Sequence, residues 1–104
     1  MKYGLRFLPV VQGDAVAAAQ WYDDKREGLG DQFLAQFYGA ASGILHNPMI
    51  YRVVEDDIRR CLLARFPYSI YFTIEEQTVL IVALFHCARD PGQISEAVRT
   101  RPRG

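Results

Sequence analysis

Most of the side-chain chemistry in this 104-residue chain lies in its second half, where Arg59, Arg60, Arg65 and Arg89 accompany His86. An imidazole among guanidinium groups suits phosphate esters: the ring moves a proton while the planar, permanently charged forks hold the anion. The bland account is as complete. His86 can hydrogen-bond a backbone carbonyl at a strand end, and strand arginines discourage edge-to-edge pairing. Cys61 and Cys87 sit in no CxxC pair and follow no helix start, so they read as two buried thiols in a reducing compartment rather than as nucleophiles. A metal site built on His46, His86, Cys61 and Cys87 finds no support in their spacing, and no metal is expected. His46 is better placed to interact with the C-terminal end of a helix dipole. Trp21 and Tyr22 read as packing anchors. The chain has no phosphate loop, dinucleotide fingerprint, GxSxG elbow or HExxH, which removes most enzyme classes with legible signatures.

Global balance narrows the field further. Twelve Lys+Arg offset twelve Asp+Glu, and half the residues are hydrophobic. A protein held to nucleic acid by bulk charge needs a cationic surplus that this one lacks. Neutrality nonetheless hides an asymmetry. Residues 1–57 carry 5 Lys+Arg against 8 Asp+Glu, a net −3, and residues 58–104 carry 7 against 4, a net +3. Every cation of the basic half is an arginine, with Lys25 the last lysine. One domain of this length buries about 65% of the surface its unfolded chain exposes, enough for a core without disulfides. No apolar run approaches the roughly 20 residues of a membrane span, and no cleavage site follows the N-terminal Phe7–Val11 run, so a soluble cytoplasmic protein is expected.

The elements that would position these residues follow from periodicity. Residues 3–10 read as a strand ended by Pro9 and the Gly13-Asp14 turn pair. Asp14 then caps a helix with Ala15, Ala18, Ala19 and Tyr22 on one face, and Gly28 suits a left-handed position after it. Beyond the Gly28-Leu29-Gly30 hinge, Phe33, Leu34, Phe37, Ala41, Ile44 and Leu45 mark a second helix, stopped at Asn47-Pro48. Extended runs follow at Ile50–Val54, Ile58–Phe66, Tyr68–Ile74 and Thr78–His86, the last being the most hydrophobic and read as central. Period-two alternation in the third run puts Ile70, Phe72 and Ile74 under the helices. Ser69, Tyr71 and Thr73 are then left facing water or a partner. Residues 89–104 read as weakly helical at best.

With the three longer runs of the second half taken as strands, the order is β-α-α-β-β-β, an α+β fold in which a helical hairpin covers one face of a small, mainly antiparallel sheet. The domain spans residues 1–91, with 92–104 a tail ordered only on a partner. The uncovered face would carry the arginines and Tyr71.

Several segments in register resemble RelE/ParE-family toxins. Trp21-Tyr22 and Gly28-Leu29-Gly30-Asp31-Gln32-Phe33-Leu34 are similar to that family's helix junction, and His46-Asn47-Pro48 to the end of its second helix. Ile58-Arg59-Arg60, Leu63, Arg65-Phe66-Pro67-Tyr68 and Ile70-Tyr71 resemble its central hairpin. Phe85-His86 and Arg89-Asp90-Pro91 resemble its closing strand. The match runs over about residues 5–91.

The resemblance implies the toxin of a bacterial type II toxin–antitoxin pair, without a cofactor, silenced by a cognate antitoxin in a hetero-oligomer. Two activities come with the family. RelE-like members cut messenger RNA on the ribosome without metal, using basic side chains and a proton-transferring residue. ParE-like members bind and block DNA gyrase. The missing lysine surplus, the zero net charge and the lack of any tyrosine after Tyr71 favour the ParE-like reading. Under the ribonuclease alternative His86 and Arg65 would be catalytic. Under either, Arg59, Arg60, Arg65, Tyr71, His86 and Arg89 would bind target or antitoxin.

Overall fold

A computed structural model describes residues 2–101. Strand β1 (Gly4–Phe7) leads into helices α1 (Pro9–Lys25) and α2 (Leu29–Ile44), and a 3-10 turn at Pro48–Ile50 opens the sheet half. Strands β2 (Arg52–Glu55), β3 (Ile58–Leu62), β4 (Tyr68–Glu75) and β5 (Thr78–His86) follow, then helix α3 (Pro91–Thr100). The expected α+β order is present, with Arg52–Glu55 as a strand of its own and a third helix added.

The five strands lie in the order β1-β5-β4-β3-β2. All pairings are antiparallel except β1 with β5, which is parallel. β4 is therefore the middle strand, with β5 beside it. β5 is buried from Val79 to Phe85 because both of its edges are paired and both of its faces are covered.

Two local readings are corrected at α1. The helix starts at Pro9, not after Asp14, and Leu8 occupies the capping position. A proline reads equally as a strand breaker or as a first helical residue, where its fixed φ and missing N–H cost nothing. Here the second role wins, because it buries Val11 together with Ala15. Gly13 and Asp14 are then interior helix residues.

The hairpin closes where glycines permit it. Gly28 takes φ +88, a left-handed conformation that side chains disfavour. At Gly30 a Cβ would run into the Ala19 carbonyl and the Asp23 carboxylate. The bare backbone instead lets the Gly30 N–H donate to Asp23 Oδ1 at 2.7 Å. From there α2 sends Phe33, Phe37, Ala41 and Ile44 wholly into the core at helical spacing. Fully burying a large apolar side chain contributes about 1.5–3 kcal/mol, so this stripe anchors the hairpin to the sheet.

Other departures have simple causes. Ile50 ends the 3-10 turn instead of starting a strand. β3 stops at Leu62, short of Phe66: the Leu63 N–H still bonds Tyr68 O in register, and the chain then turns, with the Tyr68 N–H bonding Phe66 O and the Arg65 N–H bonding Gln36 Oε1. Residues 91–100, expected to be weakly helical, form α3, whose Asp90 cap accepts from the Gly92 N–H at 2.7 Å. Pro102, Arg103 and Gly104, read with that tail, lie outside the described residues.

α3 changes the exposure of the second sheet face. Tyr71, expected to face water or a partner, is only 5% exposed, and Ser69 and Thr73 are buried as well. Val98 of α3 is buried in the same core. A strand pattern shows which residues share a face, but not whether a distant helix returns to cover it.

Candidate functional site

Residues opposite each other in a ladder share a face, so the register sorts the candidate residues. Arg59 pairs with Phe72, and Arg60 with Tyr71. Adjacent strand residues point to opposite sides, so Arg59 and Arg60 cannot form one patch. Arg59 turns to the hairpin side, where its Nη1 donates to the carbonyls of Tyr51 at 2.7 Å and Met49 at 3.1 Å. It clamps the 3-10 turn. Arg65 sits in the loop after β3, exposed and next to α2 through the Gln36 bond.

Arg60, Tyr71 and Arg89 do come together. They line a cleft of about 250 Å³ between β2–β4 and α3, with Ser69, Cys87 and Ile94. Cys87 is exposed, not buried, and its Sγ lies 3.6 Å from Ser69 Oγ. Cys61, on the other face opposite Ile70, is the buried thiol; burial pushes its pKa up and a hydrogen bond with Tyr51 pulls it partly back. At the cleft's rim Glu55 Oε2 is shielded from solvent without a hydrogen bond, and Arg99 Nε approaches it to 4.0 Å.

His86 belongs elsewhere. It pairs with Tyr68, the two rings meeting edge-on at 5.1 Å, at the end of an aromatic cluster built from Tyr22, Phe33, Phe66 and Tyr68. The Ala88 N–H donates to His86 Nδ1 at 2.9 Å, so the neutral ring carries its proton on Nε2. That partner is a backbone N–H within the turn, not the backbone carbonyl considered from sequence. Trp21, read as a packing anchor, is 54% exposed on α1, with Lys25 Nζ 4.7 Å from its ring centre.

Sequence reasoning missed Arg101. The register slips between Tyr71–Ala83 and Phe72–Ile81, which leaves Val82 as an extra, unpaired residue. The Val82 carbonyl accepts from Arg101 Nη1 at 2.6 Å. The same guanidinium lies 5.0 Å from the Phe85 ring centre and 3.8 Å from Asp14 Oδ2. Burial lowers its pKa, with Asp14 opposing and Arg89 adding to the effect. Arg89 lies 4.3 Å from the same ring, so two guanidinium groups share Phe85. A bulge leaves no mark in a hydrophobic run, so nothing in the sequence pointed to this contact.

Among the described residues no cluster of His, Cys, Asp or Glu could hold a metal, and no helix is long and apolar enough to cross a membrane.

A helical hairpin on one face of a mixed five-stranded sheet is the fold of solved RelE and ParE toxins. One described as the chromosomal ParDE TA system from P. aeruginosa superposes with TM-score 0.70 at 13% identity, covering 82% of this chain and 96% of that one. The isolated E. coli RelE toxin gives 0.60 at 18% identity, covering 93% and 96%. A mutant E. coli RelE in complex with an antitoxin RelBc peptide gives 0.61 at 18%, covering 98% and 100%. At these identities the likeness shows the fold. No curated protein sequence matches. The family model of the ParE toxin of the type II toxin–antitoxin system parDE matches residues 5–91, and the chain belongs to that family.

Proposed function

We propose that the protein is a ParE-like toxin that works by binding, with DNA gyrase as its target and a cognate antitoxin neutralising it in a hetero-oligomer. The observation that carries this reading is the dispersal of the candidate catalytic groups. A metal-independent cleavage at a ribose 2′-hydroxyl needs a base and an acid on opposite sides of one phosphate, with cations beside it. His86 lies on the hairpin face of the sheet with Nδ1 engaged, Arg59 is bound to two carbonyls, and Arg65 is in a separate loop. Arg60 and Tyr71 face the other side. The family match adds to this.

The antitoxin part of the proposal draws on the structures described as a ParDE system and as RelE with an antitoxin peptide. It also draws on the basic second half and on the apolar side chains exposed on α1 and around β2. Inducing the chain in cells tests the target. An SOS response that rises before translation slows is expected; translation arrest without SOS overturns the gyrase assignment.

One observation favours the ribonuclease alternative. Arg60 and Arg89 line one cleft above the Tyr71 ring, a position from which two cations could hold a phosphate. Cleavage of ribosome-bound messenger RNA by purified protein, lost in Arg60→Ala, would establish that reading.

A further inference from the structure

The sheet has two open edges, β1 and β2. On β1 the exposed residues are Gly4 and Arg6, while Leu5 and Phe7 are partly covered. The β2 edge is more apolar. Val53 and Val54 are exposed on the strand itself, Met49 and Ile50 just ahead of it, and Leu62 on β3 beside it. Among the described residues, Arg52–Glu55 make no backbone hydrogen bond outside the ladder with β3. An open edge flanked by apolar side chains is a surface that another strand can join.

The charges on this edge indicate which strand. Arg52 stands directly opposite Arg60, and neither forms an ion pair among the described residues. Like charges so placed repel. Three positions on, Glu55 has only the loose approach of Arg99, and its Oε2 accepts no hydrogen bond. In a regular strand, residues three apart point to opposite faces. The β2 bulge changes that. Val53 pairs with Arg59 and Glu55 with Ile58, which leaves Val54 as the extra residue. Arg60 and Ile58 share a face of β3, so Arg52 and Glu55 share the corresponding face of β2. Val53 lies on the other face, with Arg59. Bulges and charges usually blunt an edge. Here they make Arg52-Val53-Val54-Glu55 complementary to its own reverse.

We propose that β2 pairs antiparallel with β2 of a second copy of this chain, about a two-fold axis through Val53 and normal to the sheet. Such an axis keeps each face on its own side. Val53 therefore meets Val53 of the second copy, and Arg52 comes within reach of Glu55 of the second copy on either side of the axis. Each arginine gains the carboxylate that its repulsion with Arg60 calls for, and each Glu55 gains a donor. The exposed apolar side chains around the strand lose water as the two sheets become one. The contact is small. A four-residue edge with its flanks falls below the roughly 1,200 Å² of stable interfaces, so half-association is expected on the order of 10–100 µM. Self-association at β2 is independent of which target the protein has.

Sedimentation equilibrium of the full chain, made by cell-free synthesis, should show monomer giving way to dimer over that range. Val53→Lys sets two ammonium groups face to face on the axis and should hold the chain monomeric. Arg52→Glu and Glu55→Arg should each be monomeric alone, because each places like charges together on both sides of the axis. Mixed in equal amounts, the two should form a heterodimer at least as readily as the wild type, since both contacts are then opposite in sign.

Cross-linking gives a second measurement that alters no charge on β2. Val53→Cys in a Cys87→Ser background should form a disulfide-linked dimer under mild oxidation, as its two copies face each other across the axis. Arg6→Cys in the same background, on the far edge, should not. A chain that is monomeric at roughly 300 µM, well past the expected midpoint, and whose Val53→Cys variant does not self-couple leaves the edge to a strand of another protein and overturns the proposal. So does a dimer that Val53→Lys leaves intact, equal coupling of the two cysteines, or a mixture that stays monomeric although both charge variants are folded by circular dichroism.

Discussion

Arg101 donates a 2.6 Å hydrogen bond to the carbonyl of Val82, the residue that the β5 bulge leaves without an opposite number. One irregularity in the ladder thus supplies the anchor for the end of the last helix. The guanidinium also lies against Phe85 and near Asp14, which ties α3 to β5 and α1 together.

Arg101→Ala should therefore loosen α3 and lower unfolding free energy by about 1.5–3 kcal/mol, the range for hydrogen bonds to charged groups. Urea denaturation measures the loss, and hydrogen exchange should show it concentrated between Pro91 and Thr100. Arg101→Lys should restore little, because an ammonium lacks the flat face that lies against Phe85. Unchanged exchange in α3 would refute the latch.

At the hairpin, Gly30→Ala should destabilise by about 1–3 kcal/mol or more, since the added methyl meets backbone and carboxylate that cannot retreat cheaply. Gly39→Ala, a helix position with open space around it, should be neutral or slightly stabilising. Thermal melts of the pair distinguish a steric cause from a general loss of flexibility.

The two thiols should separate cleanly. Exposed Cys87 should alkylate within minutes at neutral pH, while buried Cys61, its pKa pushed up, should react only on unfolding. Intact mass after iodoacetamide should show one adduct on the native chain and two in denaturant.

Alkaline pH should destabilise the fold. Burial raises the pKa of Cys61 above its ordinary 9.0 and of Tyr22, Tyr51 and Tyr68 above 10.0. An acid with a raised folded pKa keeps its proton in the native state after the unfolded chain has lost its own. The stabilisation linked to that proton is present below the unfolded pKa and is lost as pH rises through the folded one. Denaturation midpoints should be insensitive to these groups near pH 7 and decline above about pH 9.

Much of this fold could be read in advance, and the reasons differ by element. Thr78–His86 was legible to the residue because a polar turn bounds a continuous apolar run. The α2 stripe was legible because one period persists from Phe33 to Ile44. Gly28 was legible because few residue types accept its φ. The start of α1 was not, since Pro9 suits two opposite roles. The site was harder still. Arg59 and Arg60, taken together as neighbours in sequence, are separated by strand alternation itself. Tyr71 is hidden by a helix twenty-odd positions downstream, and the Val82 bulge follows from packing that no single run encodes.

The parallel pairing of β1 with β5 joins Gly4 to Thr78, so the first strand waits for a partner made seventy-four positions later. On the ribosome, the helical hairpin emerges with Phe33, Phe37 and Ile44 exposed and no sheet to receive them. Contacts this distant in sequence form late and leave apolar surface open meanwhile. The sheet thus cannot close until Thr78–Ile81 have left the exit tunnel, which gives a chaperone or an early-binding protein an interval in which to capture the hairpin.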